Sequence, residues 1–267
     1  MNSRLITLTN SGYKHITNNM LFSLQNIGII DKITVFCLDE SVHGFLSERY
    51  PECDFEVIAN TGSEKLIDFR RDGWNHIVFY KMKAIYNSLL KYDRVLFTDG
   101  DIVFYKNPLE NLENSLKDKD ILLQTDLIVS NEKYNEYFNI IGEFKTAQQL
   151  ADYIPSCEYL KSEANTGFIY IKNTPQNIDF FNYNNIDINT FECDQIYVNK
   201  NLNKLNYALL PIFDYPTGLF IKSLYLTIIK CLPPDLGAYH FIIHYNYTLA
   251  SYNKVSTIKM MNSWYVD

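Results

Sequence analysis

Apolar and polar positions along the first hundred residues fall into blocks that switch between two periods. RLITLTN (4–10) is a short apolar run closed by turn residues, the pattern of a buried strand. In YKHITNNMLFSLQNIGI (13–29), Ile16, Met20, Leu24 and Ile27 recur at helical spacing, and Gly28 supplies a stop. KITVFCLDE (32–40) and DFEVIAN (54–60) read as strands, and the charged stretch EKLIDFRRDGWNH (64–76) as a loop. A helix over VFYKMKAIYNSLLKY (78–92) and a strand over RVLFTD (94–99) follow. This β-α-β-loop-β-α-β rhythm predicts a mostly parallel sheet flanked by helices, with ligands at the carboxyl ends of its strands.

Beyond Pro108, which suits the first turn of a helix capped by Asn107, the pattern changes. ILLQTDLIVS (121–130) is strand-like and leads into a polar, irregular stretch, 131–164. ANTGFIYIKNT (164–174) predicts another strand, FECDQIYVNKNLNKL (191–205) a helix and YALLPIF (207–213) a short strand. GAYHFIIHYN (237–246) predicts the last strand, with a helix running on to Trp264. LFIKSLYLTIIKCL (219–232) reads as an amphipathic helix, because its two lysines break the uninterrupted run of roughly 18–20 apolar residues that a membrane span needs. The Tyr- and Ile-rich region 207–232 is a candidate homodimer interface. No repeat or linker interrupts the chain, which is expected to form a single α/β domain over 1–267.

Composition narrows the function. The 267 residues are 47% hydrophobic and 21% charged, ordinary values for a globular chain with a sizeable core. A net charge of −7 gives no basic field for nucleic acid, so an anionic ligand needs a local device such as a metal or a few placed lysines. The five cysteines are widely spaced with no C-x-x-C and read as reduced and structural. MNSRLITLTNSG lacks the apolar core and cleavage site of a signal peptide, so a cytoplasmic location is expected and the sequon Asn246-Tyr247-Thr248 is read as coincidental.

The segment that carries chemistry is VLFTDGDIVFY (95–105). Two carboxylates crowded at the end of a buried strand repel each other and are costly to desolvate. In extended geometry Asp99 and Asp101 point to the same side and can offer oxygens to one ion, while Gly100 lets a metal or diphosphate approach the backbone. Hard oxygen ligands favour Mg²⁺ or Mn²⁺. Asp-Gly-Asp is equally good turn chemistry.

FTDGDIVFYKNPLENL, with its strand, acidic turn, strand and N-P-L helix start, resembles the D-x-D segment of GT-A glycosyltransferases. More narrowly it is similar to the nucleotide-diphospho-sugar transferase family. The similarity extends to LITLTNSGYKHITNNMLFSLQNIGI, to WNHIVFYKMKAIYNSLLKYDRVLFTDGDIVF, to NTGFIYIKNTP and CDQIYVN, and to HYNYTLASYNKVSTIKMMNSWY. The resemblance implies a single Rossmann-like GT-A domain, with a nucleotide-binding subregion to about residue 110 and an acceptor-side subregion beyond it.

The resemblance also implies roles. Asp101 would bind the metal directly and Asp99 the ribose, or the metal through water. His244 would be a further metal ligand, with His240 on the same predicted strand as its competitor. Lys254 or Lys259 would approach the diphosphate, and Lys81 the nucleotide sugar or diphosphate. Thr9, Asn10 and Tyr13 would hold base and ribose, with Gly100, Asn165 and Gly167 lining the cofactor site and Asp194 and Gln195 near the sugar and acceptor. Leu249-Ala250-Ser251 stands where the family often has a glycine. Trp74 and Trp264 are open to sugar stacking or to core packing. The implied activity is metal-dependent transfer, with retention, from a nucleoside-diphosphate sugar (UDP-sugar favoured) to a hydroxyl of a glycan, glycoprotein or glycolipid. Competing readings are a haloacid-dehalogenase-type phosphatase, with Asp99 as nucleophile, and a non-catalytic sugar- or partner-binding module. A sugar nucleotidyltransferase would want a richer glycine loop than TNSGYKH.

Overall fold

The computed structural model describes residues 2–59, 74–230, 235–246 and 251–266. Most of the expected loop 64–76, the Trp74 side chain, Cys231 and Tyr247-Thr248 of the sequon lie outside the described residues, as do Leu249 and Ala250. The chain runs β1 (Ser3–Thr9), α1 (Lys14–Asn26), β2 (Ile33–Cys37), α2 (Glu40–Ser47), β3 (Asp54–Val57), α3 (Trp74–Leu89) and β4 (Arg94–Thr98). Next come β5 (Ile102–Phe104), α4 (Leu109–Leu116), β6 (Ile121–Val129), α5 (Tyr134–Gly142), α6 (Ala147–Tyr153) and β7 (Leu160–Lys172). It continues through α7 (Pro175–Phe180), α8 (Asp194–Lys200), β8 (Tyr207–Leu209), α9 (Gly218–Ile221), β9 (Ile242–His244) and α10 (Ser251–Met260).

Seven strands form one sheet in the order β3-β2-β1-β4-β7-β6-β8, and only β7 runs against the others. Alternate residues on its strands feed two cores, as a period of two requires. Leu5, Val35 and Leu96 pack with Met20 and Leu24 of α1, Val42 of α2 and Leu112 of α4. Their neighbours Ile6, Phe36 and Val95 pack with Phe79, Met82 and Ile85 of α3 on the opposite face. Burial on both faces explains why β2, ITVFC, is apolar at nearly every position. A third core joins Val103 and Ile243 to Tyr137, Ile141 and Leu224.

Several predicted boundaries move, each for a local reason. No element was expected over Glu40–Ser47, yet Asp39 caps α2 by accepting from Val42 N at 2.9 Å, and its other oxygen takes Ser11 N at 2.8 Å. The stretch 131–164 is not irregular. It holds α5, α6 and the start of β7, and α6 opens on a Thr146–Gln149 capping box. Its polar exterior conceals the buried Tyr137, Ile141 and Leu150. The helix expected over 191–205 spans Asp194–Lys200, and the strand expected over 237–246 shrinks to Ile242–His244. Within 219–232, α9 passes into a π-helix, Lys222–Ile229, that is buried at Ser223, Leu224, Tyr225 and Ile228. Ser223 reaches Leu219 O at 2.8 Å and the Tyr137 hydroxyl at 3.0 Å, so a polar position joins the core instead of marking a solvent face. Asn107 does cap α4 from outside, accepting from Leu109 N at 3.1 Å.

The segment after α10 is tied to α1. Buried Asn19 donates to Ser263 O at 2.9 Å and accepts from Tyr265 N at 2.6 Å, and Tyr265 stacks on Phe22. Trp264 packs into the third core with Lys259 Nζ 5.7 Å from its ring centroid. Four cysteines, Cys37, Cys53, Cys157 and Cys193, are buried and free. No helix among the described residues is long and apolar enough to cross a membrane. Truncating Asn19 strands a buried carbonyl and a part-buried N–H, and a buried unsatisfied group costs about 1–3 kcal/mol. Asn19→Ala is therefore expected to lower unfolding free energy by at least about 1 kcal/mol with an unchanged urea m-value. Equality with the parent would show that water replaces the side chain.

Candidate active site

β4 ends at Thr98, and Asp99-Gly100-Asp101 forms a turn rather than the extended segment that the same-side argument assumed. Ile102 N donates to Asp99 O at 3.3 Å across it. The turn is needed because the chain leaves the main sheet here and enters a separate antiparallel ribbon, β5 with β9. Ile102 pairs with His244 in that ribbon, and Tyr245 N donates to Asp101 O at 3.1 Å. The ribbon thus delivers a histidine from the far end of the chain to the two aspartates.

One ligand atom from each of Asp99, Asp101 and His244 lies within 4.8 Å of the others. His244 Nε2 is 3.2 Å from Asp101 Oδ1 and 3.9 Å from Asp99 Oδ2, but it is buried without a hydrogen-bond partner. Its other nitrogen, Nδ1, is 2.8 Å from Gln124 Oε1. The Gln124 amide nitrogen donates to Tyr215 O and Pro216 O, so Oε1 is the atom facing the ring and Nδ1 is the donor. In the neutral ring Nε2 then presents a lone pair toward the carboxylates, the arrangement that orients a metal-binding imidazole. Two hard oxygen ligands and one orphaned imidazole nitrogen fit a divalent cation. His240, the expected competitor, is not in β9. Its Nε2 lies 2.6 Å from the Tyr225 hydroxyl and its Nδ1 2.6 Å from Phe213 O, so both nitrogens are engaged in the core.

Lysines hold the acids apart. Lys81 Nζ, buried on α3, lies 3.2 Å from Asp99 Oδ1, 2.8 Å from Asp194 Oδ2 and 3.1 Å from Thr166 O. Asp194 Oδ2 also accepts from Thr166 Oγ1 at 2.7 Å. Lys254 Nζ on α10 contacts Asp101 Oδ2 directly and sits 5.6 Å from the Tyr13 ring centroid. Lys259, over Trp264, is turned elsewhere. Burial would raise the Asp101 carboxyl, but the Lys254 ammonium against it outweighs burial and holds it well below the usual carboxylate range. Asp99 keeps a third of its side chain open to the cleft, and burial, opposed by Lys81 and reinforced by Asp101, leaves its carboxyl raised. Burial opposes the charge on both lysines, yet the facing carboxylates raise each of them.

Backbone irregularity makes the room. Leu123 pairs with Ile169 and Gln124 with Asn165, so three residues of β7, Thr166 to Phe168, bulge without partners on β6. Gly167 sits in this bulge, and its carbonyl accepts from Asp99 N at 2.7 Å. A Cβ there would fall 2.2 Å from His244 Cε1 and 2.6 Å from Asp99 Oδ2. At Gly100 a Cβ would fall 2.6 Å from Thr17 Oγ1 on α1. Asn165 Oδ1 accepts from Gly167 N at 2.7 Å, while its amide donates to Asp126 Oδ2 at 2.9 Å and Gln195 Oε1 at 3.2 Å. Asn246 donates to the same Asp126 oxygen at 3.3 Å.

Thr9, Asn10, Tyr13, Lys81, Gly100, Asn165, Gly167, Asp194, Gln195 and Lys254 line, with the metal-ligand candidates Asp99, Asp101 and His244, a cleft of about 1260 Å³ over these strand ends, which His240, Lys259 and Trp264 do not line. At its β1 side Thr9 Oγ1 bonds Thr17 Oγ1 at 2.8 Å and Asn10 Oδ1 accepts from Tyr13 N at 3.1 Å, which fixes the loop. The sequence reading missed Gln124, Asp126 and Thr166. Gln124 and Asp126 had a signal, being polar residues two apart inside the apolar run ILLQTDLIVS. Thr166 carried none beyond its place in NTG.

Comparison with known proteins agrees with this geometry. Arabinosyltransferase RRA2 of Arabidopsis thaliana is 26% identical over 181 residues, covering 66% of this chain and 38% of that protein. The chain spans about half or less of the length of the curated relatives it matches. The galactosyltransferase LgtC, solved with donor and acceptor sugar analogues, superposes with a TM-score of 0.52 at 12% identity, covering 99% of this chain and 97% of that one. The apo glycosyltransferase GlyE of Streptococcus pneumoniae TIGR4 gives 0.55 at 13% identity, covering 100% and 61%. These likenesses show a shared GT-A fold. Because the profile of the nucleotide-diphospho-sugar transferases matches residues 28–258, this chain belongs to that family.

Proposed function

We propose that the chain transfers a glycosyl group from a nucleoside-diphosphate sugar, UDP-sugar favoured, to a hydroxyl of a glycan, glycoprotein or glycolipid, retaining anomeric configuration. The observation that carries the reading is the orphaned His244 Nε2 converging with Asp99 and Asp101, with Lys254 against the same acid. Mn²⁺ or Mg²⁺ would be held by Asp101 and His244, with Asp99 bound directly or through water, and when bound would neutralise diphosphate charge as the leaving group departs. Imidazole ligation favours Mn²⁺.

The chain's own groups supply the rest. Lys254 is positioned to stabilise the departing nucleoside diphosphate, an interaction that strengthens in the transition state. Lys81 has its ammonium engaged by Asp99 and Asp194 and so fixes these two acids for ribose and sugar. Thr9, Asn10 and Tyr13 shape the base and ribose end of the cleft, and Asp194 and Gln195 the sugar end. Buried Asn165 and the Gly167 bulge separate the two ends. RRA2 is named an arabinosyltransferase and LgtC a galactosyltransferase, which supports glycosyl transfer here while leaving pentose and hexose equally open.

Asp101→Ala is expected to abolish donor-dependent transfer with circular dichroism unchanged, and full turnover by that variant at saturating Mn²⁺ would refute the assignment. UDP at about 100 times its Kd should add about 2.7 kcal/mol of stability, seen as a rise in melting temperature, only when metal is present. An equal rise in EDTA would remove the metal. In Gly167→Ala the new methyl collides with His244 and Asp99. Because a displacement of about 1 Å can cost about 10²-fold in rate, kcat should fall by at least about 10-fold, and the same overpacking should lower the melting temperature without ligand. Parental kcat would mean the bulge relaxes freely.

A further inference from the structure

Three lysines line the cleft among the described residues, and two of them are paired with carboxylates. The third, Lys222, makes no ion pair among the described residues. It opens the π-helix that follows α9, on the acceptor side. Its ammonium bonds the Tyr134 hydroxyl and sits 5.0 Å from the Tyr134 ring centroid and 4.9 Å from that of Phe138. Two ring faces and a phenol therefore hold the side chain in one place, while an ammonium offers three donors and the phenol takes one.

Its position relative to the reaction centre is fixed. Gly218 N donates to Asn246 Oδ1 at 2.9 Å, and Thr217 bridges His244, so the start of α9 is tied to the metal-side strand. Lys222 lies four residues further on, about 6 Å along a helix axis, and Gly218, Ile221 and Lys222 all face the cleft. Elsewhere the cleft is acidic, with Asp126, Glu163 and Asp194 in its walls. A local unpaired cation in a chain of net charge −7 is the device by which this cleft can accept a negative group.

We infer that Lys222, braced by Tyr134 and Phe138, is an acceptor subsite for an anionic group, a carboxylate or phosphate carried by the sugar that is glycosylated. The inference rests on the glycosyltransferase reading for the word acceptor, but the binding it describes can be measured alone. Isothermal titration would compare methyl β-glucuronide, glucose 6-phosphate and neutral methyl β-glucoside on the full chain, with and without UDP and Mn²⁺. One anionic probe should bind at least about 10-fold more tightly than the neutral one, and which one does so separates carboxylate from phosphate. Lys222→Met, which keeps the apolar stem, should abolish that preference, and Lys222→Arg should keep it. Equal binding of all three, no binding of either anion, or a preference that survives in Lys222→Met would overturn the subsite. A UDP–Mn²⁺ melting shift in Lys222→Met shows that the variant is folded. Loss of that shift in the parent, with anion preference intact, would instead count against the glycosyltransferase reading.

Discussion

Three acids, Asp99, Asp101 and Asp194, share one largely enclosed space, and the arrangement stands only because Lys81 and Lys254 reach into it. Removing one partner from a buried pair leaves a charge that costs about 3–5 kcal/mol, so neither lysine is optional. The two cations still leave one carboxylate charge uncompensated, and beside it lies the bare nitrogen of His244. That remainder is what a divalent cation would complete. Much of the surrounding architecture follows from this need. Helix α3 must lie across the strand ends to deliver Lys81, and α10 must fold back over them to deliver Lys254.

The first half of the fold was legible because its signals are local. Strands buried on both faces read as apolar runs, and α1 showed a clean helical stripe. The second half was harder for physical reasons. Helices α5 and α6 pack few apolar residues beneath a polar exterior, so their periodicity is thin. The strand bearing His244 is three residues long and is specified by its partner β5, far away in sequence. His240 and His244 look equivalent on paper, and only the hydrogen bonds to Tyr225 and Phe213 separate them. Lys254 and Lys259 are likewise indistinguishable in the sequence, whereas in the fold Lys254 meets Asp101 and Lys259 lies over Trp264. Motif resemblance pointed to these residues, while tertiary contacts show which of them converge.

Two breaks in regular β-structure create the cleft. After Asp99 the chain abandons the main sheet for the ribbon, and in β7 three residues swell out between Asn165 and Ile169. A regular sheet would have placed side chains where Gly167 now admits His244 and Asp99 at contact distance. Asp126 and Asn246 then knit the bulge to the segment that follows β9. The same network anchors the start of α9 and, one turn later, Lys222.

The pairing of Asp101 with Lys254 joins residues 153 positions apart. During synthesis, the nucleotide-side strands and α3 leave the ribosome long before β9 and α10 exist. Asp101 must wait in a nascent chain whose two remaining neighbours, His244 and Lys254, are still unmade. Contacts of such long range form slowly. The cluster of Asp99, Asp101 and His244 therefore cannot close until the end of the chain has been made, and a half-made chain holds the acids without these partners.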